Sequence, residues 1–544
     1  MEHIKPLINK YKFQVLSFSI IFFLTYLIYG HTTNFGFTYS DDNALIVNRL
    51  DEMDSIVKAK DFIFKPVFNE EPVKFYRPVL NISLLIDSII SGGESGFYHF
   101  SNMVIHIIST FLLLLFLKEL GYSDSASFIT SILFVVHPAF VSSVAWIPGR
   151  NDPLLAIFTF LTFIYFIKNL KTGKILYLLF MVIFFTIALF TKETALVIPL
   201  ILLIYVFLYE NTSIFGRKVI IASIFLIFPV LLYFLMRFYV FSHNGTLDID
   251  TIKVATNIIR ASGINIWYFG IIFLIEKIML YPQIYIHAQY LIKGTIVIMT
   301  LVVLCLIFRK KINFKHTLFG TIWYIVFIIP TYVVANNTYH THRLCLPIVG
   351  LFIVLIEIAS VVHKAYPRAK NIFYSILLFI AVFMSFSSYK QSFFYKDREN
   401  FWLRAQKENP SSPMANIGTA KYYESINDLE NAEKYAIQAV QNDPRNKMSS
   451  HLASIYLKKG YLKKAKYLYE KALSSNDKYN EYSYIGLGKV YMAYNDMESA
   501  LKVINKGLSI MPDSQILKKY LRILNNEEEE ENKHIIIMKY KSGR

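Results

Sequence analysis

Two adjacent carboxylates are the first residues of this chain that could take part in chemistry. Asp41 and Asp42 stand in the stretch YSDDNALIVN, a few residues after the first long apolar run. A positioned carboxylate can take the proton of an attacking hydroxyl, and two carboxylates together can bind a divalent cation. A charged loop in solvent is the alternative, so the other polar segments must decide between the two.

Charged residues recur in the short polar segments between later apolar runs. They are Arg77, Arg150 with Asp152, Lys192 with Glu193, and Arg343. Polar groups in or beside membrane spans are costly, so they are usually functional or paired. A snorkelling ion pair could explain Lys192 and Glu193 alone, but not charges in several such turns.

Polar side chains within apolar segments form a third set. His99 and Asn102 are three residues apart, on one face of a helix, and His137 precedes Pro138, where a helix should kink or break. Together with His340, they are predicted to line a cavity. Hydrogen bonding between helices is the alternative use of such residues.

Membrane helices must position these groups. Of 544 residues, 54% are hydrophobic and 17% are charged. The apolar residues gather in blocks of about 17 to 25, the length that crosses ~30 Å of hydrocarbon. The formal charge of +17 is explained by basic cytoplasmic turns. No nucleic-acid partner is expected, because no basic motif is interleaved with stacking aromatics.

The blocks predict an all-α bundle of about eleven spans over residues 1–390, with a first external loop at 31–97. The first apolar run is interpreted as an uncleaved span. The segment from Ile258 to His287 is predicted to be a re-entrant or interfacial hairpin. The positive-inside rule then places the charged segments named above on the external face.

The remainder of the chain is a repeat array. A small residue recurs about every 34 residues at Ala420, Ala453 and Gly488, and a second such column contains Ala432, Ala465 and Ala500. This period is typical of tetratricopeptide helix pairs, which stack into a solenoid with a concave binding surface. Residues 391–520 are predicted to form this domain, and residues 521–544 a charged tail.

Several segments occur in an order that resembles a known family. They are FTYSDDNALIVN, YRPVLNISLLID, FYHFSNMVIHIIST, HPAFVSSVAWIPGRND, LFTKETALVIPLILL and the repeat array. From about Asn34 to Pro512 the chain resembles the TMTC-type (transmembrane and tetratricopeptide repeat) glycosyltransferases of the GT-C superfamily, which are related to protein O-mannosyltransferases. The resemblance implies transfer of a sugar from a polyprenyl- or dolichyl-phosphate donor to a protein Ser or Thr hydroxyl, at the lumenal or periplasmic face.

Transferred to this chain, the resemblance implies that Asp41 or Asp42 activates the acceptor hydroxyl, with Asp41 preferred, or that the two bind a metal. The donor's phosphate and sugar would be held by Arg77, Arg150, Asp152, Lys192, Glu193 and Arg343. In YHTHRLCLP, His342 stands where the family has a glutamate, so donor choice can differ here. Whether a divalent cation such as Mg²⁺ or Mn²⁺ takes part is left open.

Other functions remain open from the sequence. The acceptor could be a lipid or a cell-wall glycan, and a glycan polymerase or ligase would use the same type of donor. A membrane scaffold that recruits partners through its repeats is the non-enzymatic alternative. The bias towards Lys, Ile and Asn favours a bacterial inner membrane with the site and repeats on the periplasmic side; in a eukaryote the site would face the ER lumen.

Overall fold

The computed structural model describes residues 5–68, 75–210, 216–244, 263, 265–273, 280, 288–333, 340–443, 448–474, 480–512 and 514–525. Contacts divide the chain into two compact units, Met1–Arg398 and Glu399–Arg544. Composition had placed the boundary near residue 390. Every regular element in the described ranges is a helix, which confirms the all-α fold class.

The first unit begins with α1 (Lys5–Tyr29), α2 (Asp41–Leu45), α3 (Ala59–Phe64), α4 (Pro78–Ser91), α5 (Ser95–Glu119), α6 (Asp124–Val136), α7 (Val141–Val144) and α8 (Asn151–Thr172). It continues with α9 (Ile175–Thr191), α10 (Ile198–Tyr209), α11 (Arg217–Asn244), α12 (Ala288–Phe308), α13 (Phe314–Val333), α14 (Pro347–Ala365) and α15 (Lys370–Ser392). Proline begins α4 and α14, where a missing N–H costs no hydrogen bond.

Helices suited to crossing a membrane are numerous in the described part of the chain. Seven are long and apolar enough: Tyr11–Asn34, Ser95–Glu119, Ile147–Thr172, Arg217–Ser242, Leu291–Phe308, Pro347–Ala365 and Pro367–Tyr395. Shorter apolar helices are Pro78–Ser91, Ile175–Thr191 and Glu193–Tyr209. These helices fit a multi-pass membrane protein, but the predicted number of about eleven spans is not confirmed. The predicted hairpin at 258–287 falls mainly outside the described residues.

The break predicted at Pro138 is confirmed. Helices Asp124–Val136 and Pro138–Val144 meet at a bend of 55°, because proline lacks an N–H and clashes with the preceding turn. The chain then passes through α7 and the 3-10 turn Ile147–Arg150 before α8 begins. Glycine is required at position 149 in that turn, because a Cβ there would overlap the Ser142 carbonyl oxygen.

Aromatic side chains pack between α5, α8 and α13. The rings of Phe116 on α5 and Phe160 on α8 stack at 5.5 Å, and Trp323 on α13 lies 5.3 Å from Phe116. The Trp323 indole also donates to the Leu346 carbonyl at 2.7 Å. This hydrogen bond anchors the chain between the 3-10 turn Thr341–Leu344 and α14.

The second unit is a stack of helix pairs, as predicted. It contains α16 (Arg398–Glu408, whose first residue ends the first unit), α17 (Pro413–Ser425), α18 (Leu429–Gln441), α19 (Ser449–Lys458), α20 (Leu462–Ser474), α21 (Glu481–Ala493), α22 (Met497–Ile510) and α23 (Gln515–Leu524). Ala420, Ala453, Ala432, Ala465 and Ala500 are each 1% exposed or less. Residues 521–524 belong to α23 rather than to the predicted tail, and residues 526–544 lie outside the described part.

Candidate functional site

The loop before α2 is closed by Asp42. The carboxylate accepts hydrogen bonds from Thr38 N at 2.5 Å, Thr38 Oγ1 at 2.9 Å and Ser40 N at 2.7 Å. Between these donors Tyr39 adopts the left-handed conformation, with φ of 54°. Burial raises the pKa of Asp42, and the hydrogen bonds from Thr38 and Ser40 offset only part of the shift. Asp42 therefore shapes the loop, and of the two aspartates only Asp41 reaches solvent.

Helix α2 packs on the turn that leads into α8. The buried cluster that joins them includes Leu45, Ile46, Tyr98 and Ile147. Asn102 on α5 holds the same turn, because its amide nitrogen donates to the Trp146 carbonyl at 3.1 Å. The loop that carries Asp41 therefore lies against the segment that carries Arg150 and Asp152.

Arg150 is fully buried in an ion pair. Its Nη1 donates to Asp87 Oδ2 at 2.5 Å, and its Nη2 donates to the Tyr98 carbonyl at 2.9 Å. The hydroxyl of Ser101 donates to the other Asp87 oxygen at 2.7 Å. The guanidinium thus joins α4 and α5 to the start of α8, and the phosphate-binding role of Arg150 stays a prediction.

A charged cluster forms where the polar segments meet. Arg77 donates to Glu193 at 2.9 and 3.1 Å, and Arg237 lies 3.9 Å from the same carboxylate. Lys192 donates to both oxygens of Asp152 at 2.6 and 2.8 Å. The name charged cluster denotes Arg77, Asp152, Lys192, Glu193, Arg237 and Arg343.

Asn151 connects the two ion pairs. With its amide oriented to satisfy its neighbours, the nitrogen donates to the Thr191 carbonyl at 2.9 Å and the oxygen accepts from Arg77 Nη1 at 3.0 Å. Asn151 and Asp152 open α8, and Thr191 ends α9. The start of one helix and the end of the next are thereby fixed around Arg77.

Three rings border the charged cluster. His340 and His342 stack at 5.2 Å, and Trp146 lies 5.7 and 5.6 Å from them. His342 Nε2 is 3.9 Å from Asp152. Trp146 Nε1, His342 Nδ1 and Arg343 Nη1 are buried atoms that have no hydrogen-bond partner among the residues described by the structure.

Positive charge predominates in the cluster. Its four cationic side chains face two carboxylates, Asp152 and Glu193. Burial lowers the pKa of Lys192, with Arg77 and Arg343 adding to the shift and Asp152 opposing it. Burial raises the pKa of Glu193, but Arg77 and Arg237 outweigh it, so the net shift is downward. Asp152 and Glu193 are each neutralised by a basic partner, and Arg343 Nη1 is left without a hydrogen-bond partner among the described residues.

The two adjacent histidines do not add to this charge. Burial, with help from Arg343, lowers the pKa of His340 to about 3. Burial and the neighbouring His340, Lys192 and Arg343 likewise hold the pKa of His342 well below its usual value. Both rings are therefore neutral at physiological pH.

The other predicted polar residues contact main chain. His99 Nε2 lies 3.4 Å from the Gly36 carbonyl, and His137 Nε2 lies 3.0 Å from the Ile272 carbonyl. With Asn102, they are buried and organise the loops around the site. Their cavity-lining role stays a prediction. Within the described residues, no three His, Cys, Asp or Glu side chains are grouped to hold a metal ion.

Two residues of the site are not among those predicted from the sequence. Arg237 interrupts the apolar helix α11, and Asp87 interrupts the apolar run of α4. A charge inside an apolar helix is costly without a partner, and that signal could have identified both residues. Their partners, Glu193 and Arg150, lie too far along the chain to be inferred from spacing.

Comparisons with known proteins agree with the predicted resemblance. A tetratricopeptide repeat family model matches residues 448–479. Protein O-mannosyl-transferase TMTC1 of Mus musculus is 27% identical over 195 residues, which cover 33% of this chain and 21% of that protein. Protein O-mannosyl-transferase TMTC3 of Homo sapiens is 28% identical over 139 residues, covering 25% and 15%.

These matches are partial. The matched part of the chain spans about a fifth of the length of the mouse protein. The crystal structure of yeast Tom70 aligns over 80% of this chain and 99% of its own at 12% identity, but its TM-score of 0.24 carries no argument about the fold. The similarity to TMTC-type proteins is nevertheless confirmed.

Proposed function

We propose that this chain is a membrane glycosyltransferase that moves a sugar, mannose in the first instance, from a polyprenyl-type lipid phosphate to a protein Ser or Thr hydroxyl. The observation that carries the proposal is the charged cluster, in which Asp152 and Glu193 are each paired with a basic side chain and Arg343 is a further cation. Arg343 Nη1 in particular is a buried donor without a partner among the described residues. The class of reaction, transfer of a mannosyl group to a protein, is inferred from the names of the similar proteins.

The charge excess suits the leaving group. A sugar-phosphate-lipid diester carries one negative charge, and the lipid phosphate that leaves carries a second, which develops as the bond to the anomeric carbon breaks. Preorganised cations that meet this developing charge stabilise the transition state more than the ground state. Arg343 is assigned to the phosphate oxygens, with Lys192 and Arg77 next to it.

Asp41 is assigned as the base. It takes the proton of the acceptor hydroxyl while the hydroxyl oxygen forms a bond to the anomeric carbon. At the same time the bond between the anomeric carbon and the phosphate oxygen breaks. The electron pair of that bond leaves with the lipid phosphate, so charge and protons balance. Asp42 fits this role less well, because its side chain is buried and accepts hydrogen bonds from Thr38 and Ser40, whereas Asp41 is partly exposed. The same hydrogen bonds count against Asp42 as a metal ligand.

A polypeptide acceptor is favoured by the second unit. Tetratricopeptide arrays present concave surfaces that hold extended segments of other proteins. The acidic and basic residues of the site lie in segments that the distribution of basic turns assigns to the non-cytoplasmic face. We assign the site to the periplasmic side of a bacterial inner membrane, or to the ER lumen in a eukaryote.

The test compares three variants of the full-length chain in membranes supplied with mannosyl polyprenyl phosphate. Arg343→Gln should lower the turnover about 10²–10³-fold, and Asp41→Asn should lower it about 10²–10⁴-fold. Arg309→Gln, an exposed arginine between α12 and α13, is the matched control and should retain full activity. Mass spectrometry of O-glycopeptides from surface proteins provides the readout in cells.

Unchanged O-glycopeptides after deletion of the gene would reject a protein glycosyltransferase. Loss of a surface glycan with intact glycopeptides would instead identify a glycan acceptor. If partners bind the repeats but no sugar moves in any condition, the scaffold alternative stands.

A further inference from the structure

Two buried ring nitrogens beside the charged cluster have no hydrogen-bond partner in the part of the chain that the structure describes. Trp146 is 4% exposed, and neither its Nε1 nor His342 Nδ1 has a hydrogen-bond partner among the described residues. The two rings lie 5.6 Å apart. Leaving such atoms unsatisfied is unfavourable, so a ligand that pairs with them gains affinity.

The two nitrogens have opposite hydrogen-bonding character. An indole nitrogen can only donate. Asp152 lies 3.9 Å from His342 Nε2 and favours the tautomer with its proton on that nitrogen, which leaves Nδ1 as an acceptor. The imidazole stays neutral, because burial and the nearby cations lower the pKa of His342.

A hydroxyl-bearing ligand matches this pair, whereas a phosphate does not. The oxygens of a phosphodiester only accept, so they could satisfy Trp146 and Arg343 but not His342 Nδ1. A sugar hydroxyl both donates and accepts and can serve either nitrogen.

We infer that Trp146 and His342 form the subsite for the hexose of the lipid-linked donor, next to the phosphate at Arg343. The inference rests on the proposed function and deepens it, because it assigns sugar recognition to residues outside the charged cluster. His342 supplies a neutral acceptor at the position of the family's glutamate, so it recognises a hydroxyl without placing a further negative charge beside the phosphate.

Equilibrium binding to the purified full-length chain in micelles tests the subsite. The probes are farnesyl phosphate and mannosyl farnesyl phosphate. The wild type should bind the mannosylated lipid more tightly. His342→Phe and Trp146→Phe keep a ring but remove the polar atom, and each should reduce that preference about five- to tenfold while the affinity for farnesyl phosphate is unchanged.

Two further variants separate recognition from folding. His342→Gln retains an acceptor oxygen and should recover most of the preference. Arg343→Gln should lower the affinity for both lipids by the same factor, because Arg343 is assigned to the phosphate that both lipids carry. A structural role for His342 would not distinguish Gln from Phe in this way.

Three results would overturn the subsite while leaving the proposed function intact. The first is a wild type that shows no preference for the mannosylated lipid. The second is that His342→Phe and Trp146→Phe keep the preference, and the third is that these variants lose affinity for both lipids equally. A wild type that binds neither lipid would overturn the inference and the proposed function together.

Discussion

The buried pair of Asp87 and Arg150 allows a direct test of whether Arg150 positions α8 or binds phosphate. The Arg150 side chain is 0% exposed and that of Asp87 is 7% exposed. Asp87→Asn keeps the shape of the side chain, but among the described residues it leaves the buried guanidinium charge with the Tyr98 carbonyl and a neutral amide as acceptors. The folded state should therefore be much less stable.

The expected decrease in the free energy of unfolding follows from the burial of the ion pair. Breaking a buried ion pair by removing one partner costs about 3–5 kcal/mol, because an uncompensated charge stays in a low-dielectric environment. Arg150→Met should cost a similar amount, since it leaves Asp87 unpaired. The double variant Asp87→Asn with Arg150→Met removes both charges and should be more stable than the sum of the same two single changes by about 2–3 kcal/mol.

The free energy of unfolding in mixed micelles, followed by tryptophan fluorescence during titration with SDS, measures these changes. Lys65 and Glu52 form the matched control, because their side chains are 38% and 50% exposed in an ion pair of 3.0 Å. Lys65→Met should cost only about 0–1 kcal/mol. Each pair joins a basic side chain to a carboxylate, and the large difference between the two pairs is their burial.

One outcome would refute the positioning role of Arg150. If Arg150→Met leaves the unfolding free energy unchanged but abolishes binding of farnesyl phosphate, the guanidinium binds the donor, as the family resemblance implied. Additive single changes in the double variant would refute the energetic coupling itself.

Three further predictions concern the loop, the turn and the histidines. Asp42→Asn should destabilise the fold by about 1–3 kcal/mol and increase proteolysis in the loop, whereas Asp41→Asn should change both measurements less, because the Asp41 side chain is partly exposed. Gly149→Ala should cost about 1–3 kcal/mol in the same unfolding assay, because its Cβ overlaps the Ser142 carbonyl, while Gly488→Ala, which meets only ordinary contacts, should cost nothing. Burial holds the pKa of His340 at about 3, so the unfolded chain takes up this proton at a higher pH than the folded one. His340 alone should therefore lower the stability by about 2 kcal/mol from pH 7 to pH 5, and His340→Phe should remove that contribution from the slope.

Local patterns in the sequence determined much of this protein. The lengths of the apolar blocks, the break at Pro138 and the small-residue columns of the repeats follow from the covalent chain and from helix geometry, so they can be read without knowing what packs against what. The segments that carry the charged residues were identified for the same reason, because polar groups between apolar runs stand out.

Tertiary structure alone decided which charges meet. Arg77 pairs with Glu193 and Arg150 with Asp87, and these partners come from segments far apart in the chain. Burial depends on packing, so the sequence could not show that Arg150 is enclosed while Arg343 keeps a nitrogen without a partner among the described residues. The two neighbouring aspartates differ for this reason too: a one-residue step along α2 puts Asp42 inside the loop and leaves Asp41 partly exposed.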